Sequence, residues 1–180
     1  MRRNPKALRN TAFHESGHAV SACMLGVRFR SVSIRPNRET RTLGGVLLQK
    51  FPKWAVRDTE EYNQDRARVW FEKVAQICLA GQIAEAKHAG RRPAHYSHQS
   101  DRDQVFDMAM EICGTEEESS AWMELIFIRA RNQLGNFWPA VEALAEELLK
   151  RDTIPGPEAQ QIILDAMCPP GSLPEIETIP

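Results

Sequence analysis

The chain has 180 residues, of which 42% are hydrophobic, and a formal net charge of −1. This length fits one domain that is large enough to bury a hydrophobic core. The near-neutral charge excludes strong general attraction to nucleic acid or anionic membranes, so we expect neither as a partner. No run of apolar residues is long enough to predict a transmembrane helix.

The cysteines and the start of the chain indicate a compartment. None of the four cysteines forms a Cys-x-x-Cys pair, which suits a reducing, cytoplasmic setting. Basic residues near the start are not followed by an apolar run, so no signal peptide is expected. The sequence also lacks a Gly-x-x-x-x-Gly-Lys-Ser/Thr phosphate loop. We therefore expect a cytoplasmic protein without an ATPase of the phosphate-loop class.

The first predicted element is a helix that carries a metal-binding motif. Asn4 and Pro5 suit its N-cap and first position, and Gly26 suits its C-terminal stop. Within this helix, His14-Glu15-Ser16-Gly17-His18 fits the His-Glu-x-x-His signature of zinc metallopeptidases. Helix positions four apart lie on the same face, so His14 and His18 can bind one metal ion.

Glu15 lies about 100° around the helix from His14. From there its carboxylate can reach a water on the metal without being a ligand itself. A zinc ion lowers the pKa of such a water to about 7, and the carboxylate can take the proton as the water attacks a carbonyl. The motif therefore predicts peptide hydrolysis with Glu15 as general base. Gly17 costs about 1 kcal/mol relative to Ala in a helix, which predicts that another element approaches closely there.

Two short strands are predicted after this helix. Residues 27–35 alternate apolar and polar side chains with one irregularity, and residues 43–49 form a second apolar segment. Together they predict a small β hairpin or sheet. Gly44 and Gly45, in the second strand, indicate either a close backbone approach, such as a substrate pairing with an exposed edge, or a bulge.

Helical periodicity dominates the remainder. The predicted helices cover residues 58–89, 100–113, 116–134, 136–151 and 156–167. Asp58 and Thr59 are expected to cap the first of these helices, and Val69 to lie on its apolar stripe. Ser100 is expected to cap the second, and Gly135 to end the third.

The predicted fold is therefore mainly α with a small β hairpin or sheet, an α+β class. Residues 1–167 are expected to form one domain. Residues 168–180 contain four prolines and are expected to form a mobile C-terminal tail.

A catalytic zinc usually has three protein ligands and an open position, and the motif supplies two of them. The candidates for the third ligand lie later in the chain than the motif: Glu85, His95, His98, Asp101 and Asp103. Asp101 falls in the first turn of a predicted helix, at the inward edge defined by Val105. Asp103 falls on a different face, at the capping-box spacing from Ser100.

Several segments resemble, in chain order, the FtsH family of zinc proteases. The likeness begins with Thr11–Val20 around the motif. It continues through residues 32–36 with Leu43-Gly44-Gly45, 79–85, the helix start at Ser100-Asp101, and 138–156. The resemblance runs from about residue 7 to residue 165.

The resemblance implies an FtsH protease-domain-like fold with a zincin-type active-site helix, and one zinc ion per chain. It implies Asp101 as the third ligand beside His14 and His18. Glu85 matches a glutamate of the family and is interpreted as orienting a histidine ligand, or as a structural carboxylate. His95 and His98 match nothing in the family; they would line the cleft, bind extra metal or be solvated. His88 is expected to cap a helix end.

FtsH proteins also carry transmembrane helices and an AAA+ ATPase ahead of the protease domain, and this chain has neither. The leading expectation is a cytoplasmic zinc endopeptidase, ATP-independent by itself, that cuts peptides or unfolded proteins. One alternative is a protease subunit that depends on a separate unfoldase or regulatory partner. Another is a non-catalytic, metal-stabilised interaction module. The sequence does not identify residues of an oligomer interface.

Overall fold

A computed structural model describes residues 4–36, 43–48, 50, 52–56, 60–92 and 99–167 of the chain. The elements are, in order, α1 (Pro5–Met24), β1 (Phe29–Ser33), β2 (Gly45–Leu48), a short 3₁₀ helix (Lys53–Ala55), α2 (Gln64–His88), α3 (Gln99–Ile112), α4 (Glu116–Asn136), α5 (Trp138–Arg151), β3 (Thr153–Pro155) and α6 (Gly156–Met167). The structure is mainly helical with a small antiparallel sheet, which confirms the predicted α+β class. One hydrophobic cluster joins all six α helices to the sheet. The predicted tail, 168–180, lies outside the described residues.

Both ends of α1 agree with the sequence prediction. The Asn4 side chain accepts a hydrogen bond from the backbone N–H of Lys6 at 3.0 Å, and Pro5 occupies the first helical position. At the other end Gly26 has φ +68°. The Gly26 N–H donates to the Cys23 carbonyl, and the Val27 N–H donates to the Ala22 carbonyl. This pair of bonds is the Schellman motif, which ends a helix at a left-handed residue.

Helix α2 is the central helix of the fold, and it is shorter than predicted. It begins at Gln64, where the Asn63 side chain accepts from the N–H of Arg66, so the expected cap at Asp58 and Thr59 is wrong. Those two residues lie outside the described ranges. Val69 is 57% exposed and does not belong to the apolar stripe. Further along, residues 74–84 are buried without interruption, because other elements surround the helix there.

Gly17 explains how closely α1 and α2 pack. A Cβ at Gly17 would lie 2.6 Å from both the Ala80 carbonyl oxygen and the Ala84 Cβ. A side chain at Gly17 would therefore push the helices apart, which confirms the predicted close approach. The glycine's cost in helix propensity is offset by this packing.

Among the described residues the sheet has three strands rather than the two that the sequence indicated. Its order is β2-β1-β3, with β1 antiparallel to both neighbours. The predicted irregularity in β1 is present, as a register shift between Phe29 and Val32 opposite β2. Strand β3 brings Ile154 opposite Val32, and both side chains are completely buried. Three residues ending in proline are too short to show a strand period, so β3 was missed.

The later helices differ from prediction mainly at their ends. Gly135 lies inside α4, which continues to Asn136, so the expected break at Gly135 is wrong. Helix α3 begins at Gln99, which makes Ser100 its second residue rather than its cap. Helix α6 has the predicted bounds. No helix in the described ranges combines the length and apolar character that crossing a membrane requires.

Candidate metal centre

Two helices bring three potential metal ligands together. From α1, the Nε2 atoms of His14 and His18 lie 2.9 Å apart. From α3, Asp101 Oδ2 lies 3.4 Å from His14 Nε2 and 3.7 Å from His18 Nε2. Ligand atoms about 2.0–2.1 Å from a tetrahedral zinc lie roughly 3.3 Å from each other. The spacing of these three atoms therefore suits a single zinc ion.

The orientation of His18 is fixed from α2. Its Nδ1 lies 2.6 Å from the backbone carbonyl oxygen of Ile77. Because a carbonyl can only accept, Nδ1–H is the donor, and the neutral ring then presents its Nε2 lone pair toward His14 and Asp101. A metal-binding histidine is commonly held in this way through its other nitrogen.

Glu85, one turn beyond Gly81 on α2, faces the other ligand histidine. Its Oε2 lies 3.6 Å from His14 Nδ1. Its Oε1 accepts hydrogen bonds from Asn10 Nδ2 and from an Arg91 guanidinium N–H, each at 3.4 Å. The carboxylate is thus positioned between the metal centre and two donors, as expected of a residue that orients His14.

Three carboxylates, those of Asp101, Glu85 and Glu15, lie near the two histidines. They influence the pKa of His14. Burial disfavours the charged ring. Contacts with Asp101 and Glu85 and the negative charge of Glu15 outweigh burial, and they raise the pKa of His14 from 6.5 to about 9. A centre with this excess of negative charge suits a divalent cation.

Gly81 makes room for both imidazole rings. A Cβ at Gly81 would lie 2.4 Å from His18 Nε2 and 2.8 Å from His14 Nε2. The histidines therefore rest against the bare backbone of α2. Ile77, Gly81 and Glu85 are spaced four residues apart, so they lie on one face of α2. That face provides the Ile77 carbonyl beside His18, the space at Gly81 for both rings, and the Glu85 carboxylate beside His14.

Glu15 is buried beside the ligands, at 5% exposure, and lies against the start of β2. A Cβ at Gly44 would lie 2.7 Å from Glu15 Oε1 and 2.6 Å from the Ser33 carbonyl oxygen. Gly44 is therefore a site of close approach, whereas Gly45 has open space around its Cα. Of the two sequence interpretations, the close approach is correct for Gly44, and the group that approaches it is the Glu15 side chain together with the β1 backbone.

A cleft of about 550 Å³ joins the metal centre to the sheet. It is lined by His14, Glu15 and His18, by α3 at Asp101, and by the β2 segment from Leu43 to Val46. Since β2 pairs with β1 on one side, its other side is an edge of the described sheet. An extended chain lying along that edge would pass beside Glu15.

The remaining candidate residues fall into two groups. Asp103 is exposed and lies on a different face of α3 from Asp101, as predicted. His88 ends α2 as expected, but its ring stacks on Phe13 at 3.6 Å between centroids. Burial and the Arg9 charge lower the pKa of His88, which disfavours the charged form of the ring. His95 and His98 lie outside the described residues.

Several residues that shape this site were not predicted from the sequence. Cys78 is buried and also lines the cleft, where burial and the Asp101 charge raise the pKa of its thiol to about 12. The roles of Gly81 and the Ile77 carbonyl were not foreseen. A glycine inside a helix, which costs about 1 kcal/mol relative to Ala, was the available signal for Gly81, as it was for Gly17.

Comparison with known proteins adds no further constraint. No family model matches the chain, and no curated protein matches it.

Proposed function

We propose that this chain is a zinc-dependent endopeptidase of the FtsH protease type. The observation that carries the proposal is the convergence of His14, His18 and Asp101 around one point, with the buried carboxylate of Glu15 beside them. Two histidines, one carboxylate and a separate acidic residue are the set that metal-assisted hydrolysis requires.

The residues present fit one zinc ion per chain. His18 is held with Nε2 available, Gly81 leaves space at the rings, and the three donor atoms have suitable separations. With these three side chains as its ligands, a four-coordinate zinc would keep one position for water or substrate. When bound, zinc supplies Lewis acidity, which makes a water more acidic and polarises a carbonyl.

Glu15 would move the proton. Its carboxylate takes a proton from the attacking water and passes it to the leaving amine, as general base and then general acid. The close approach of Gly44 limits where that carboxylate can point. Ile77 and Glu85 would orient the two histidines and leave the proton transfer to Glu15.

The proposed substrate is an extended peptide or an unfolded protein that adds to the free edge of β2. Leu43 and Leu47 are 67% and 56% exposed beside that edge and offer apolar contacts. The activity is proposed to be cytoplasmic and ATP-independent by itself. A separate unfoldase or regulatory partner would be needed only for folded substrates.

The first experiment measures zinc by mass spectrometry on protein purified without added metal, together with casein cleavage. We expect about one zinc per chain and cleavage that a chelator stops and added zinc restores. Zinc without cleavage would favour a partner-dependent protease or a metal-stabilised interaction module. Absence of metal that cannot be restored would overturn the proposal.

Asp101→Ala should lower zinc affinity by about 100-fold or more, because it removes one of three ligands and leaves His14 and His18 alone. Zinc content after dialysis against a weak chelator is the measurement. Asp103→Ala, on the exposed face of the same helix, is the matched control and should retain zinc. Equal zinc in both variants would place the third ligand elsewhere.

Gly44→Ala should reduce casein cleavage at least about tenfold while zinc content is retained. The new methyl group would displace the Glu15 carboxylate or the start of β2, and neither of these holds the metal. The kcat for a fluorogenic peptide, measured alongside zinc content, tests this. Gly135→Ala is the control, since nothing lies within 4 Å of its added Cβ and it is not part of the cleft lining. Full activity of Gly44→Ala would show that the close contact has no role.

A further inference from the structure

A second cavity, lined by basic residues, lies beside the cleft at the candidate metal centre. Its volume is about 520 Å³, and residues of α1 and of the C-terminal end of α2 and the turn after it line it: Lys6, Arg9, Asn10, His88, Ala89 and Arg91. Three of these side chains carry a positive charge, one is an amide and none is acidic. The lining therefore suits an anionic group.

This basic cavity is continuous with the metal centre. Asn10 lines both the cavity and the cleft. Lys6, Asn10 and His14 are four residues apart, so they follow one face of α1. With a rise of 1.5 Å per residue, Asn10 lies about 6 Å and Lys6 about 12 Å along the helix from His14.

Helix α2 lies beside α1 from the candidate metal centre to the basic cavity. Ile77 contacts His18, while Glu85 contacts His14 and Asn10, so α2 runs antiparallel to α1. The candidate metal centre lies near the middle of α1, and the basic cavity lies where α1 begins and α2 ends.

The charges of the cavity are only partly neutralised. Arg9 pairs with Glu146, and Arg91 with Glu85 at 3.4 Å. In the part of the chain that the structure describes, no carboxylate forms an ion pair with Lys6. Because a guanidinium has five N–H donors, Arg9 and Arg91 can each bond a further carboxylate while keeping their present partners.

We propose that this cavity binds a carboxylate of the peptide whose cleaved bond lies at the metal centre. The inference rests on the proposed peptidase function and adds a substrate preference to it. An extended peptide advances about 3.3 Å per residue, so 6 to 12 Å corresponds to about two to four residues from the cleaved bond. The carboxylate belongs either to an acidic side chain or to the C-terminus of the peptide.

The test measures peptide binding without turnover. Zinc-loaded Glu15→Gln protein is titrated against fluorescein-labelled peptides of one apolar sequence, and binding is read by fluorescence anisotropy. One peptide is neutral with an amidated end, one has Glu residues and an amidated end, and one is neutral with a free carboxylate. Preference for the second identifies a side-chain carboxylate, and preference for the third identifies the C-terminus.

The charged residues are then removed in pairs. Adding Lys6→Gln and Arg91→Gln should weaken binding of the preferred peptide by about fivefold per charge, about 25-fold in all. Binding of the neutral amidated peptide should not change. Arg131→Gln with Lys150→Gln, both exposed and outside the cavity lining, gives the same charge change and should leave both affinities unaltered. The zinc content of every variant must match that of the parent.

Equal binding of all three peptides would overturn the inference, as would equal weakening by the control pair. Casein cleavage by the wild-type chain separates this inference from the proposed function. Cleavage without any carboxylate preference overturns the inference and leaves the peptidase standing. A carboxylate preference without cleavage supports the basic cavity as an anion site and counts against the peptidase.

Discussion

Glu15→Gln should abolish peptide cleavage while zinc content and fold remain unchanged. The amide has nearly the shape of the carboxylate but cannot accept the proton of the attacking water. Removing a general base costs about 100- to 10,000-fold in kcat. Since Glu15 contacts Gly44 and is not one of the three grouped donors, zinc binding should persist. Casein cleavage, zinc content and the melting temperature, measured together, test this expectation.

Glu117→Gln is the matched control, because Glu117 is an exposed glutamate in the first turn of α4. It should cleave casein at the wild-type rate. Wild-type activity in Glu15→Gln would remove Glu15 from the mechanism. Loss of zinc in Glu15→Gln would instead mean that this carboxylate helps to hold the metal.

Gly81→Ala should destroy zinc binding although alanine is the better helix former. The added methyl group would lie 2.4 Å from His18 Nε2 and 2.8 Å from His14 Nε2, so both rings must move. His18 cannot turn away without breaking its 2.6 Å bond to the Ile77 carbonyl. We expect zinc affinity to fall by about 100-fold or more and cleavage to fall with it. Zinc titration of the metal-free protein, monitored with a competing indicator, measures the loss.

Gly135→Ala provides the control for helix propensity. Gly135 also lies within a helix, but its added Cβ would meet nothing within 4 Å. This variant should keep zinc and gain about 1 kcal/mol in free energy of unfolding. Wild-type zinc affinity in Gly81→Ala would show that the rings can shift without cost, and that the close approach has no functional consequence.

The sequence by itself determined the local part of this protein. Asn4, Pro5 and Gly26 predicted the bounds of α1 to within one residue, because caps and stops act through neighbouring backbone groups. The four-residue spacing of His14 and His18 predicted a shared face, because helix geometry is fixed by the backbone. Gly17 predicted that another element approaches α1 closely, because a glycine inside a helix costs about 1 kcal/mol relative to Ala and close packing can offset that cost.

Local patterns were less informative where competing signals occurred close together. Asp58 and Thr59 looked like a helix cap, but Asn63 fills that role five residues later. Gly135 looked like a helix end, yet the backbone bonds of α4 continue through it. Asn63 caps α2 with its own side chain, and the cost of Gly135 within a helix, about 1 kcal/mol, does not end α4.

Only the tertiary structure decided what surrounds the motif. The sequence offered five candidates for the third ligand, of which helix spacing and the family resemblance favoured Asp101. The packing of α3 against α2 brings Asp101 to the histidines and leaves Asp103 outside, while two of the five, His95 and His98, fall outside the described residues. The Ile77 carbonyl, the space at Gly81 and the contact of Gly44 with Glu15 join residues far apart in sequence. No local pattern encodes such contacts, because they depend on where whole helices and strands pack and not on the conformation of any one segment.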